Sequence, residues 1–289
     1  MTIKRTLVYV ICASVVSLAL GAVLMQSDYG QAIFGADTPV DLTNLIATTE
    51  ADAEDTCNVL AISLNGYLST YKTDEDPEDS TETTSRESSS DEIVAGILTT
   101  AKNDPELKAV ILAIDSGGGD GVAGEEIANA LKSLDKPNVA VIRGMGASAA
   151  YWAATGADKI YASRLSDVGS IGVTSSFLDD SKVKADEGYR YVQLSSGKYK
   201  DLWDPDKPIT EEDKALLMDG VNQTHKIFVE QVATSRKLEL VAVQKIANGQ
   251  TYLGDEALKL GLIDEIGDMQ TATKFIEDQI GEPADICWY

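Results

Sequence analysis

The sequence predicts an α/β protein: a parallel sheet with helices between its strands, followed by a helical last third. Three observations carry this. Residues 108–114 (KAVILAI) are a continuous apolar run, as a strand buried on both faces requires. Residues 138–142 and 159–162 are further strand-length apolar runs, with helically spaced residues between them. Such strand–helix–strand repetition implies parallel pairing with right-handed crossovers. From Thr210 onward, apolar residues recur at the helical period instead.

Taken in order, the chain opens with Lys4 and Arg5 ahead of an uncharged run at 6–24, TLVYVICASVVSLALGAVL. Roughly nineteen helical residues at 1.5 Å each span about 28 Å, close to the hydrocarbon thickness of a bilayer. A transmembrane anchor is expected at 6–24, with residues 1–5 cytoplasmic and the remainder beyond the membrane. A removed signal peptide is the alternative, but small residues offer only weak cleavage sites inside the run. Residues 25–56 read as a polar stalk. Residues 58–64 (NVLAISL) are strand-like and end at Asn65-Gly66. Residues 72–92 carry nine acidic residues and almost nothing apolar, so a mobile acidic loop is expected. Asp91 can cap a helix through Ile93, Ile97 and Leu98.

After the 108–114 strand, residues 115–120 (DSGGGD) read as a turn, and Ile127, Leu131 and Leu134 as a helix face. The 138–142 strand gives way at 144–151 (GMGASAAY) to a small-residue turn and a helix. Residues 191–194 look like another strand. Thr210-Glu-Glu-Asp213 is a capping box opening a long helix, with Leu216, Leu217, Val221, Ile227, Phe228 and Val232 on or near one side. Shorter helices follow at 241–246 and 254–260. Residues 281–289 are left as a tail.

Composition narrows the function. At 289 residues the chain can bury one sizeable core. Its net charge of −23 repels phosphate backbones, which argues against nucleic acid as a partner. One histidine and three scattered cysteines cannot build a tetrahedral metal site, and no cofactor is expected. Cys12 lies in the anchor. Cys57 and Cys287 could be bridged beyond the membrane, but two cysteines make no framework and both read as incidental.

The chemistry gathers around Ser148 and a lysine. Ser148 sits where a strand turns into a helix, which suits a nucleophile. A serine hydroxyl needs a base to ionise it. His225, the single histidine, falls inside the long helix and is not expected to act as one. Lys198 and Lys200, in 195–201 (SSGKYKD), are the candidate bases, provided the amine is desolvated. The Gly117-Gly118-Gly119 turn offers unobstructed backbone N–H groups, and Ala149 a further one, for a developing oxyanion.

These residues resemble the SppA-type signal peptide peptidases, membrane-associated serine proteases of ClpP/crotonase-like fold built from repeated ββα units. Residues 114–119 (IDSGGG) resemble the family's Asn-Ser-Pro-Gly-Gly turn, and 146–152 (GASAAYW) its Ala-Ala-Ser-Gly-Gly-Tyr-Tyr segment. Residues 157–162 (ADKIYA), 168–173 (VGSIGV), 196–201 (SGKYKD), 246–249 (IANG) and 257–266 (ALKLGLIDEI) follow in the family's order. The resemblance implies a peptidase domain at 57–280 with Ser148 as nucleophile and Lys200 as general base. It also implies that Ser170 orients the lysine and that Gly119, helped by Gly118 and Ala149, holds the oxyanion. It further implies homo-oligomeric rings, in which serine and lysine can come from neighbouring subunits, and apolar peptide substrates such as signal-peptide remnants. Four residues depart from the family: Gly117 stands for proline, Ala149-Ala150 for two glycines, and Asp115 for asparagine. An inactive membrane scaffold of the same fold, and acyl-CoA chemistry of the crotonase kind, are the rival readings. The acidic charge and the anchor both oppose the second.

Overall fold

In the computed structural model, which describes residues 57–71 and 87–289, the apolar run at 58–64 becomes β1 (Val59–Ser69), and its alternating side chains divide the core in two. Leu60, Ile62 and Leu64 face the larger cluster, whereas Val59 and Ala61 face a smaller one. Such alternation is what a strand with helices on both faces must show. The expected segments at 1–5, 6–24 and 25–56, and the 72–86 part of the acidic loop, lie outside the described residues. Among the described residues no helix is long and apolar enough to cross a membrane, and no group of His, Cys, Asp or Glu could hold a metal ion.

The other strands are β2 (Glu87–Ser89), β3 (Ala109–Gly119), β4 (Asn138–Ala147), β5 (Lys159–Ala162), β6 (Asp167–Gly169), β7 (Thr251–Leu253), β8 (Glu265–Ile266) and β9 (Ile286–Trp288). The main sheet runs β2-β1-β3-β4-β5-β8, with every pairing parallel. The helices are α1 (Ser90–Ala95), which continues as a π-helical turn at Gly96–Ala101, then α2 (Gly121–Lys132), α3 (Ala149–Ala154), α4 (Ser181–Asp186), α5 (Glu211–Arg236), α6 (Leu240–Ile246), α7 (Gly254–Lys259) and α8 (Met269–Ile280). Residues of α2, α3, α6, α7 and the end of α5 join the larger cluster. On the opposite face Ala272 and Ile276 of α8 cover Val59, Ala61, Ile111 and Val141. This is an α/β fold with a parallel sheet, as the strand–helix alternation predicts.

Three adjacent strands bend at one level. The β1–β3 register slips between Asn65 and Tyr67, and the β3–β4 register between Ile114 and Ser116. At the same height β4 changes partner: Val139–Ile142 pair with β5, whereas Met145–Ala147 pair with β6. Bulges of this kind increase local twist and re-aim side chains. Beyond them, the C-terminal ends of β1, β3 and β4 carry Gly66, residues 116–119 and Ser148 to one rim, the side where open parallel sheets bind ligands.

Several expectations change. Residues 87–92 are not part of a mobile loop: 87–89 pair with Tyr67–Ser69 of β1 and 90–92 begin α1. Residues 281–289 are not a tail, since β9 pairs in parallel with Val59–Ala61. Cys57 and Cys287 are not incidental; they form a disulfide with Cα atoms 5.6 Å apart. Residues 191–194 form no strand, because no sheet edge reaches them and Val192 and Leu194 stand exposed. The capping box of α5 is present in both halves, yet Leu216, Met218 and Ile227 are exposed and the helix enters the core only at Phe228. Between 172 and 227, Asp213 is the one buried residue, so this stretch is an arm that its own core does not cover.

Candidate active site

Ser148 occupies the single residue between β4 and α3 with φ 52° and ψ −126°, a conformation that L-residues rarely adopt. Its N–H donates to Gly169 O at 2.8 Å, and its carbonyl accepts from Trp152 N at 2.9 Å as the first bond of α3. Two backbone bonds therefore hold the strained turn, and the half-buried side chain lines a cavity of about 1030 Å³. Ala149 and Ala150 lie within α3 and neither has positive φ, so alanine is favourable where the family resemblance raised the question of glycine. Tyr151 is fully buried and donates to Leu262 O at 2.8 Å, fixing α3 from behind; burial pushes its phenol well above its usual range.

The glycine end of β3 closes over the serine: residues 115–119, read from the sequence as a turn, instead extend the strand past its bulge and pair with β1 and β4. A Cβ on Gly118, which has φ 103°, would come 2.7 Å from Ser148 Cβ and 3.0 Å from Ala149 N. A Cβ on Gly119 would lie 1.9 Å from Leu68 O of β1. Only glycine fits either place. Buried Ser116 locks this strand end: its Oγ donates to Gly66 O at 2.6 Å and accepts from Gly118 N at 3.1 Å. The Gly118 N–H is thereby occupied, which removes it from the oxyanion donors expected from sequence. Gly119 N–H and Ala149 N–H, the latter in the first turn of α3, are the remaining candidates. Asp115, which stands where the family has asparagine, accepts from Met145 N at 3.0 Å and ties the bent ends of β3 and β4 together.

Ser170 lines the same cavity, also at positive φ (48°). Its N–H donates to Gln250 O at 2.9 Å and its Oγ to Gly249 O at 3.0 Å. The floor is apolar, with Trp152 stacked on Phe228 at 4.8 Å between ring centroids. His225 lines the cavity too, which sequence reasoning missed: its helical position says nothing of what the helix faces.

The two lysines stand elsewhere. Lys198 is ion-paired with Glu212, and that hydrogen-bonded carboxylate raises the lysine above its usual range, which keeps it charged and unfit as a base. Lys200 lies exposed on the arm, outside the residues lining the Ser148 cavity. Its amine has no ion-pair or hydrogen-bond partner among the described residues. One chain thus brings together Ser148, Gly118, Gly119, Ala149 and Ser170, but not Lys200.

The site thus sits on a parallel α/β sheet whose bent strand ends present a strained serine beside a run of glycines, and residues 80–166 match the family described as Clp protease. Residues 130–281 match peptidase family S49, and the chain belongs to that family. It is 37% identical over 183 residues to a candidate protease of Methanocaldococcus jannaschii, covering 63% of this chain and 59% of that one. It is 31% identical to Protease 4 of Haemophilus influenzae, covering 69% and 33%, and 29% identical to the chloroplastic serine protease SPPA of Arabidopsis thaliana, covering 63% and 27%. The chain therefore spans from about a quarter to three fifths of these relatives' lengths. A mutant ClpP1 of Listeria monocytogenes superimposes with a TM-score of 0.45 at 13% identity, over 80% of this chain and 97% of that one.

Proposed function

We propose that this chain is a serine endopeptidase, anchored in a cell membrane by residues 6–24 with its folded part outside the cytoplasm. Its substrates are apolar peptides such as signal-peptide remnants, and Ser148 and Lys200 form its dyad. The reading rests above all on Ser148, a serine held at φ 52° against Gly118 in a cavity with an apolar floor. The Cys57–Cys287 bridge supports an oxidising location.

Lys200 is supplied by a neighbouring copy in a ring. The arm at 172–227 supports this: it exposes Leu178, Val183, Tyr189, Val192, Leu194 and Trp203, and apolar side chains gathered on one exposed segment mark an interaction surface. Docked in the neighbour's cavity, the amine loses water and can stay neutral. It then takes the Ser148 Oγ proton as Oγ attacks the scissile carbonyl carbon, while Gly119 and Ala149 N–H groups hold the oxyanion. The C–N bond breaks, the leaving amine takes the proton from Lys200, and a water repeats the cycle on the acyl-enzyme.

The test mixes two inactive variants. Ser148→Ala and Lys200→Ala are each expected to lack peptide hydrolysis. Co-assembled in equal amounts, they recover about one quarter of wild-type turnover, because half the serine sites are intact and half of those face an intact lysine. Full activity in either variant alone removes the dyad. A mixture that stays silent although mixed rings form removes the shared site.

A further inference from the structure

We infer that His225 is a positioning residue for this reaction: through the turn at 247–250 it fixes the direction of the Ser170 hydroxyl. The inference rests on the reading of Ser148 and Lys200 given above. A serine hydroxyl has one hydrogen to give and two lone pairs to accept with. Because Gly249 O accepts the Ser170 hydrogen at 3.0 Å, the Ser170 oxygen faces the cavity as an acceptor only. A neutral lysine amine has the opposite need. If it donates one N–H to Ser170 Oγ, its own lone pair is left to point at the Ser148 hydroxyl. The carbonyl of Gly249 therefore sets the polarity of the dyad without touching it.

That carbonyl belongs to a turn held from both ends. On one side Ser170 N donates to Gln250 O at 2.9 Å and Gly249 N to Ile171 O at 3.1 Å. On the other, His225 Nε2 lies 3.0 Å from Ala247 O. A carbonyl can only accept, so Nε2 carries the proton and the tautomer is fixed. His225 projects from α5 one turn before Phe228, where that helix becomes buried, so the bond couples the turn to a rigid element. Inside the turn Gly249 has φ 84°, and its far side is open, with nothing within 4 Å of a built Cβ.

The experiment compares purified full-length His225→Ala, His225→Gln and Gly249→Ala with wild type, on an apolar chromogenic peptide and in the rate of fluorophosphonate labelling of Ser148. His225→Ala is expected to lower kcat and the labelling rate about tenfold with KM within about twofold, since a sub-ångström shift of a reacting group costs rate rather than binding. His225→Gln, whose side-chain N–H can reach the same carbonyl, restores at least about half of the loss. Gly249→Ala strains the turn without a steric clash and is expected to behave like His225→Ala. Wild-type kcat in His225→Ala, with assembly intact, overturns the inference. So does a His225→Gln variant as impaired as alanine, which would give the imidazole a part in the chemistry itself. Ser148→Ala and Lys200→Ala run alongside: if they are silent while His225→Ala is fully active, only the positioning role fails, and if they turn over, the dyad fails first.

Discussion

Removing the Cys57–Cys287 bridge gives the most demanding test of the fold, because it joins the two ends of the folded region. The cysteines are 230 residues apart in sequence. In the chain-entropy description, a cross-link of that span removes about 18 cal/mol/K from the unfolded ensemble, or about 5.5 kcal/mol at 25 °C. Removals of native bridges typically cost about 2–5 kcal/mol, so about 2–5.5 kcal/mol brackets the effect of Cys287→Ser. With an unfolding entropy of about 2.1 cal/mol/K per residue over the described region, that range lowers Tm by about 4–12 °C. Unfolding need not begin at the bridge, because β9 keeps other attachments. Asp285 O accepts from Asn58 N and Val59 N at 3.0 Å each, Tyr289 N donates to Ala61 O at 2.9 Å, and the Asn58 side chain reaches Glu282 at 2.8 Å. The assay is a thermal melt followed by circular dichroism on oxidised wild type, reduced wild type and Cys287→Ser, with intact mass confirming the redox state. Melts of all three within about 1 °C of one another would refute the reasoning.

Three further outcomes are expected. Lys198→Ala keeps peptide hydrolysis within about twofold of wild type, because an exposed lysine paired with Glu212 serves only the surface; loss as complete as in Lys200→Ala would reassign the base. Asp213, 3% exposed, accepts from the Thr210 hydroxyl and backbone, and these bonds hold its carboxyl below the usual carboxylate range. A lowered carboxyl stabilises above its unfolded value and loses that contribution as pH falls through the lowered one. Helicity at 222 nm should therefore fall below about pH 4 in wild type, and Asp213→Asn should start lower and show less of that acid loss; identical titrations would remove the role. Ser148→Gly is expected to be silent yet more stable by about 1 kcal/mol, since glycine adopts φ 52° without strain; a lower Tm than wild type would show that the serine is not strained there.

What could be read from the sequence is what short-range physics encodes. The apolar runs became β1, β3, β4 and β5, and Thr210 and Asp213 cap α5 reciprocally, because each depends on residues a few positions apart. The glycine run at 117–119 was legible as a break after a strand, but what makes 118 and 119 obligatory, Ser148 and the Leu68 carbonyl, lies far along the chain. The rest required contacts that no local pattern carries. A three-residue strand such as β9 has no period to detect, and its pairing with β1 lies across the whole folded region. The spacing of Leu216, Val221 and Ile227 marks a helix face but not what covers it. His225 looked idle because helical position says nothing of which cavity a residue meets.

The geometry of the rim explains why two serines are both held where serine is disfavoured. Ser148 and Ser170 have φ 52° and 48°, and Gly118 and Gly169 beside them both have φ 103°. These turns are tied in series: Ser148 N donates to Gly169 O, and the next residue, Ser170, donates its N–H to Gln250 O. Each strained serine follows directly on a strand end, β4 for one and β6 for the other, and these strands pair through Met145–Ala147 and Asp167–Gly169. A change in either turn must therefore be felt by the other through one short ladder. A relaxed turn would leave either hydroxyl free to choose its rotamer and its donor direction. The strain, about 1–3 kcal/mol at each serine, is offset by a sheet that leaves the turns no alternative path. Two hydroxyls on different strands are thereby presented to one cavity with fixed backbone directions, before any base arrives.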